Sequence, residues 1–313
     1  MKIAVVRLSA LGDIIMIEPL LRALMNQGHE LHLITKPSNC ALFDDYAEPL
    51  RVHAWTSFAE ANDLRNLGFD AVIDAHNNLR SRLISAWLWP AAVYRVSKEA
   101  WKKGAHALGL KWPVTPFQTR LLQAAKPLLA SGADIQGLWP VRSAQTGEGT
   151  YRVLVLGGTY ATKQIPLSLC ADVLNRAGGS WVLLGGSDDL SRAQELHAML
   201  NTGLQVQIHC GQSLVASQRL IQGSSAVISG DTGMAHWAAA LGKPLQVIWG
   251  NTHPLYGLSP GQWPGARVNH HQVQDLDCRP CTKFGHDRCP KGHFRCMMNQ
   301  KAEAIVAELE NLD

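Results

Sequence analysis

The 313-residue chain is predicted to be an α/β protein built from two doubly wound domains, and three observations carry that prediction. Short apolar runs alternate with helical patterns along both halves, which implies parallel sheets covered by helices. A small, polar stretch at 143–150, SAQTGEGT, separates the two series and reads as a linker. The length suits two domains of ordinary size. The expected division is 1–148 and 149–313, the two halves facing one another across a cleft.

In the first half, 2–8 reads as a buried strand and 14–25 as a helix with apolar positions Ile14, Ile17, Leu20, Leu21 and Leu24. Pro19 either opens the regular part of that helix or kinks it. Further strands are expected at 31–35, 71–74 and 92–96. The second half gives strands at 152–156, 181–184, 205–209, 226–229 and 245–249. Helices are expected between them over 167–176, 190–200, 214–222 and from Met234, with a final helix at 301–312.

Composition places the chain among ordinary globular proteins, with 46% apolar and 17% charged residues. No apolar run reaches the ~18 residues that a membrane-spanning helix needs. Arg7 and Asp13 interrupt the apolar N-terminal stretch, so no signal peptide is read there and a cytoplasmic protein is expected. In that compartment the seven Cys are expected as thiols or metal ligands. The net charge of +4 is unevenly spread. Between Leu79 and Arg120 eight basic residues face one acid, Glu99, and Trp87, Trp89, Trp101 and Trp112 lie among them. Basic residues mixed with Trp suit an anionic surface with an apolar interior, such as lipid head groups or a phosphorylated glycolipid. Arg80, Arg82, Lys98 and Lys102 are the candidates for that contact, and no nucleic-acid partner is expected. The other reading is a pair of solvated helices whose Trp side chains face the core.

Ligands of open parallel sheets sit at the carboxyl ends of the strands, so the loops there are where chemistry is sought. After the 226–229 strand comes GDTGMAHWAAALGKP. Gly233 lets backbone approach a ligand, and free N–H groups at the helix start form an anion site. Asp231 would be repelled by a phosphate, so backbone N–H groups or sugar hydroxyls are its better partners. Asp231 or Thr232 could equally cap a structural helix, and His236 could be a core histidine. The loop after the first strand, RLSALGD, aims Asp13 toward the ligand, as a general base if a substrate hydroxyl is in reach, or as a helix cap. The loop 157–166, GGTYATKQIP, pairs close-approaching glycines with the positive charge of Lys163, and the GGSD loop at 185–188 is similar. No strand is followed by G-x-G-x-x-G, and no P-loop motif is present, which disfavours a nicotinamide-linked enzyme.

Taken together, RLSALGD-x₅-P-x-x-RAL, the Lys163 loop followed by Pro166, and DTGMAHWAAAL resemble glycosyltransferase family 9, the ADP-heptose:lipopolysaccharide heptosyltransferases of Gram-negative bacteria. The resemblance runs over essentially the whole chain. It implies the two-domain fold called GT-B, with an N-terminal acceptor domain and a C-terminal donor domain. It implies inverting, metal-independent transfer of a heptose from ADP-heptose to the lipopolysaccharide inner core, with no cofactor required. Asp13 then matches the catalytic base. Gly158, Thr159, Lys163, Ser187, Asp231, Thr232, Gly233 and His236 match donor-binding positions, Lys163 on the diphosphate. The acid often found near the ribose has no clean match, because Gly-Gly-Ser precedes Asp188 and Asp189. The acceptor implied is a phosphorylated glycolipid, which would hold the protein peripherally on the inner face of the inner membrane. Transfer of another sugar, an outer-core heptose, or a non-catalytic binding role are the rival readings.

Cys278, Cys281, Cys289 and Cys296 form C-x₂-C-x₇-C-x₆-C within the 278–296 segment, with His286 and His293 interleaved. Four thiols at that spacing make a candidate structural zinc site, and a metal-free cluster of buried thiols is the alternative.

Overall fold

The computed structural model describes residues 1–102, 112–130, 138–140 and 149–310. Lys103, Lys111, most of the expected linker and its boundary residue 148 lie outside the described residues. The chain forms two compact units, Met1–Ala144 with Leu255–Pro264 and Gln145–Pro254 with Gly265–Asp313. The return of 255–264 to the first unit has no counterpart in the linear division read from the sequence. It is secured by backbone bonds from the Val114 N–H to the Leu255 carbonyl (2.8 Å) and from the Phe117 N–H to the Gly257 carbonyl (2.9 Å). Gly257 is in the left-handed region, and a Cβ there would meet the Thr115 carbonyl at 2.6 Å, so only glycine fits this join.

In the first unit five parallel strands, β1 (Lys2–Val6), β2 (Glu30–Thr35), β3 (Leu50–Ala54), β4 (Ala71–Asp74) and β5 (Ala92–Arg95), lie in the order β3-β2-β1-β4-β5. Helices α1 (Leu11–Ile15), α2 (Glu18–Met25), α3 (Pro37–Cys40), α4 (Ala61–Asn66), α5 (Leu79–Trp87) and α6 (Phe117–Ala125) accompany them. The single helix expected over 14–25 is two. The break falls at Met16 and Ile17, and Pro19 sits in the first turn of α2, where its missing N–H costs no hydrogen bond. Strand β3 was not anticipated. Its LRVHA sequence is polar and half-exposed, as an edge strand can be, and gives no apolar run.

In the second unit six parallel strands follow, β6 (Arg152–Val155), β7 (Ser180–Gly185), β8 (Gln205–Cys210), β9 (Val227–Gly230), β10 (Leu245–Trp249) and β11 (Val268–Gln272). Their order is β11-β10-β9-β6-β7-β8. The helices are α7 (Leu167–Ala177), α8 (Leu190–Ala198), α9 (Leu214–Gly223), α10 (Gly233–Ala240), α11 (Arg295–Met298) and α12 (Ala302–Glu310). Strand β11, VNHHQ, is again a polar edge that periodicity does not reveal.

In each sheet the strand order reverses beside the unit's first strand, between β1 and β4 and between β6 and β9. Open α/β sheets bind ligands outside the carboxyl ends of the strands at such switch points. The loops from Arg7, Ala75, Leu156 and Asp231 are therefore the ones positioned for chemistry. Helix α10 explains its own composition. It packs on β9 and β10 with every side chain from Ala235 to Ala240 buried, so alanine lets its axis lie close to the sheet. At the end of β9 a Cβ on Gly230 would collide with the Lys163 carbonyl, so the two loops meet backbone to backbone. Ala239→Leu should destabilise the chain by about 1–3 kcal/mol through overpacking, read as a lower midpoint in denaturant unfolding with an unchanged slope.

Candidate active site

At the switch point of the second unit, Lys163 Nζ and Asp231 Oδ2 lie 2.7 Å apart, both side chains largely covered. Lys163 closes a tight turn at Ala161–Lys163, and Asp231 is the first residue after β9. Thr232, not Asp231, caps α10. Its Oγ1 accepts the Ala235 N–H at 3.4 Å and is hydrogen-bonded to Ser229 Oγ at 2.9 Å. Asp231 is thereby left to balance Lys163 instead of taking the first-turn amides. Gly233 opens the helix, and the amides of that first turn have no partner within it. His236 is buried one turn into α10. Gly158 and the exposed Thr159 precede the Lys163 turn.

In the neighbouring loop Asp189 is buried, and its carboxylate accepts the Gly186 N–H at 2.9 Å, so this acid shapes its own turn. Ser187 and Asp188 remain exposed, 3.3 Å apart through Oγ and Oδ1.

At the switch point of the first unit, the Asp13 carboxylate is ion-paired with the Arg7 guanidinium and accepts the Ala10 N–H at 3.1 Å. Asp13 thus sits in the first turn of α1 and reaches back over it. Arg7 also donates to the Ala75 carbonyl at 2.6 Å and lies over the Phe117 ring at 5.1 Å, so the acid is fixed by a side chain that is itself anchored. His76, just after β4, accepts the Leu8 N–H at Nδ1 (3.3 Å), which puts its proton on Nε2. Burial, with the Arg7 charge adding, pulls the His76 pKa down to about 4. Below it the buried Asp74 accepts the amides of His76 (3.2 Å) and Asn77 (2.6 Å).

Arg7 and His76 were missed as site residues. Arg7 had a visible signal, a cation at the end of a buried strand six positions before the acid. His76 had none, because only the β1–β4 pairing brings it to Leu8.

The basic candidates separate. Arg82 Nε donates to Asn77 Oδ1 at 2.8 Å, which steadies a residue in the left-handed region. Arg80 is exposed on α5. Lys98 is close enough to His76 to help keep it neutral. Lys102 is held by Glu99 Oε1 at 2.9 Å and lies 5.7 Å from the Trp101 ring centre. The four Trp side chains of this segment are exposed, so the alternative reading in which they face the core fails.

The four cysteines of the 278–296 segment gather into one neighbourhood as free thiols. Burial pushes Cys281 and Cys296 up to about 11, the adjacent thiols of Cys278 and Cys289 contributing to both. Cys278 Sγ is 3.8 Å from His293 Nε2. Among the described residues no group of three or more His, Cys, Asp or Glu side chains has an arrangement that would hold a metal ion. The segment does reach the site. The Thr162 N–H and Oγ–H approach the His286 carbonyl at 3.1 and 2.8 Å, and the His286 N–H lies 2.8 Å from Thr162 Oγ1. The Cys281 N–H donates to the Asn251 carbonyl at 3.0 Å. The residue before Lys163 is therefore clamped by the cysteine-rich segment.

Two doubly wound sheets with charged groups at both switch points define a two-domain α/β protein of the GT-B type. The fold matches that of E. coli ADP-heptose LPS heptosyltransferase II at a TM-score of 0.73 and 20% identity, over 100% of this chain and 98% of that one. It also matches E. coli heptosyltransferase WaaC with ADP at a TM-score of 0.71 and 21% identity, over the whole of both chains. Residues 136–287 match the model of glycosyltransferase family 9 (heptosyltransferase). Lipopolysaccharide heptosyltransferase 1 of Pseudomonas aeruginosa is 27% identical over 252 residues, 75% of this chain and 68% of that protein. The chain is thus similar to glycosyltransferase family 9, the heptosyltransferases, through its 136–287 segment and through its fold.

His76 makes the first unit acid-sensitive. From its ordinary pKa of roughly 6.5 down to about 4, the unfolded chain binds a proton at this position that the folded chain refuses. Its contribution to stability is therefore full above that window and lost as pH falls through it. In chemical denaturation from pH 7 to 4.5, the wild type should lose more stability than His76→Gln. A gap that stays constant with pH would show that His76 titrates normally.

Proposed function

We propose that this chain is an inverting, metal-independent glycosyltransferase that moves a heptose from ADP-heptose to the inner core of lipopolysaccharide, on lipid A–Kdo or its heptosylated form. The observation that carries this reading is the pair of switch-point loops, one presenting Asp13 and the other presenting Lys163 beside a helix N-terminus. The Pseudomonas relative is a lipopolysaccharide heptosyltransferase, and one structure with the same fold holds ADP.

In this reading the second unit binds the donor. Lys163 transfers its contact from Asp231 to the diphosphate, and the first-turn amides of α10 add oriented dipoles where negative charge develops. Asp231, released from its cation and repelled by the phosphate charge, accepts from a sugar hydroxyl. Thr159, Ser187 and His236 complete the donor contacts. The first unit binds the acceptor. The Asp13 carboxylate takes the proton of the acceptor hydroxyl as that oxygen attacks the anomeric carbon, and the bond from that carbon to the diphosphate breaks on the opposite face. One displacement inverts the centre, with the oxocarbenium character familiar from glycosidases. Arg7 holds Asp13 in one orientation throughout. Arg80, Arg82, Lys98 and Lys102 would meet acceptor phosphates, and the reaction would take place on the cytoplasmic side of the inner membrane.

Asp13→Ala should abolish transfer from ADP-heptose while leaving ADP affinity nearly unchanged. Turnover above a few per cent of wild type would place the base elsewhere. Lys163→Ala should weaken ADP binding by about 1.5–3 kcal/mol, the range for hydrogen bonds to charged groups, and calorimetry reads it directly. Unchanged affinity would remove Lys163 from the diphosphate.

A further inference from the structure

Helix α5 is amphipathic the wrong way round for a helix that packs on a sheet. It buries Ser81, Ile84 and Ser85 and turns Leu79, Leu83 and Trp87 to solvent at 76%, 49% and 43% exposure. These three stand four residues apart, so at about 100° per residue they form one stripe, and Arg82 and Arg80 fall on its two sides. Ser81 and Ser85 are satisfied locally. Ser81 Oγ lies 3.1 Å from the Asn78 carbonyl and accepts the Asn78 N–H at 3.0 Å, while Ser85 Oγ–H donates to the Ser81 carbonyl at 2.8 Å. The buried face is thus self-sufficient, and nothing about packing requires the outer face to be apolar. The stripe continues into Trp89, 68% exposed, and into Phe58, whose ring lies 6.3 Å from that of Trp87.

We infer that this face of α5 docks the protein onto an anionic lipid bilayer. The charge pattern selects that partner. From Leu79 to Lys98 the sequence holds Arg80, Arg82, Arg95 and Lys98 and no acid, and an apolar stripe with Trp at its end between cations is how a helix lies in a head-group layer. A protein partner would have to offer acids around an apolar groove, whereas an anionic bilayer offers both chemistries everywhere. The position is telling as well. Asn78 caps helix α5 two residues after His76, which is hydrogen-bonded to the Asp13 loop through Leu8. Resting on that proposed role for Asp13, the bilayer contact would bring the head group of a lipid-anchored acceptor to the rim that carries the base. No helix among the described residues is long and apolar enough to cross a membrane, so contact through this stripe is a surface contact.

The test is sedimentation of the full chain with phosphatidylcholine vesicles, with and without roughly one-third phosphatidylglycerol. Wild type should pellet with the anionic vesicles and stay in solution with the neutral ones. The double variant Leu83→Ser, Trp87→Ser should lose at least tenfold in vesicle affinity, with unchanged unfolding midpoint and ADP affinity. Its turnover of a water-soluble, deacylated acceptor should be unchanged, and its turnover of vesicle-embedded acceptor should fall. Wild type that ignores anionic vesicles, or a double variant that pellets as wild type does, overturns the inference. So does a wild-type dimer in analytical ultracentrifugation that the double variant dissolves, since a second copy would then cover the stripe. Vesicle binding lost by the variant while neither acceptor is turned over would leave the docking face standing and refute the transfer reaction instead.

Discussion

The Lys163–Asp231 ion pair is the interaction on which the site of the second unit depends. It ties the turn after β6 to the residue after β9, the two strands between which the sheet reverses order. Its partly covered setting spares it some of the screening that makes surface pairs nearly worthless. It also stores a cation without leaving it bare. An unpaired ammonium among amide dipoles would be costly, and an unpaired carboxylate would repel a phosphate. Held together, each offsets the other's charge.

The first unit solves a similar problem differently. Asp13 is locked by Arg7, which is in turn fixed by the Ala75 carbonyl and the Phe117 ring. The neutral His76 beside them keeps the local charge from becoming too positive, and its neutrality follows from burial next to Arg7. A carboxylate held in one orientation has little rotamer freedom left to lose on any further contact. The site of the second unit also depends on backbone contact between loops. The collision that a side chain at Gly230 would cause, and the Thr162–His286 clamp, show that the Lys163 turn is seated by packing from two directions.

The cysteine-rich segment acquires a role by this route that its spacing alone did not suggest. Its sequence points to metal chemistry, while its described contacts are those of a brace under the Lys163 turn. The segment gathers its thiols because two backbone anchors, at Asn251 and Thr162, fold it over the ends of β10 and β6.

The class of fold, most of the central strands and the three candidate loops are legible in the order of residues alone. Buried parallel strands are continuous apolar runs, and loop residues such as Asp13, Lys163 and Asp231 stand out because they interrupt them. Edge strands β3 and β11 were not legible, since a half-exposed edge needs no apolar pattern. Nor was the break at Met16 and Ile17, which Pro19 left open to two outcomes. Long-range contacts alone make Thr232 the cap of α10 and Asp231 the partner of Lys163, set Arg7 on Asp13, and place Leu255–Pro264 in the first unit. They also turn Trp87, Trp89, Trp101 and Trp112 outward. Pairing of charges and the facing of a helix depend on which strands lie side by side, and that is fixed by long-range register, which no local spacing encodes.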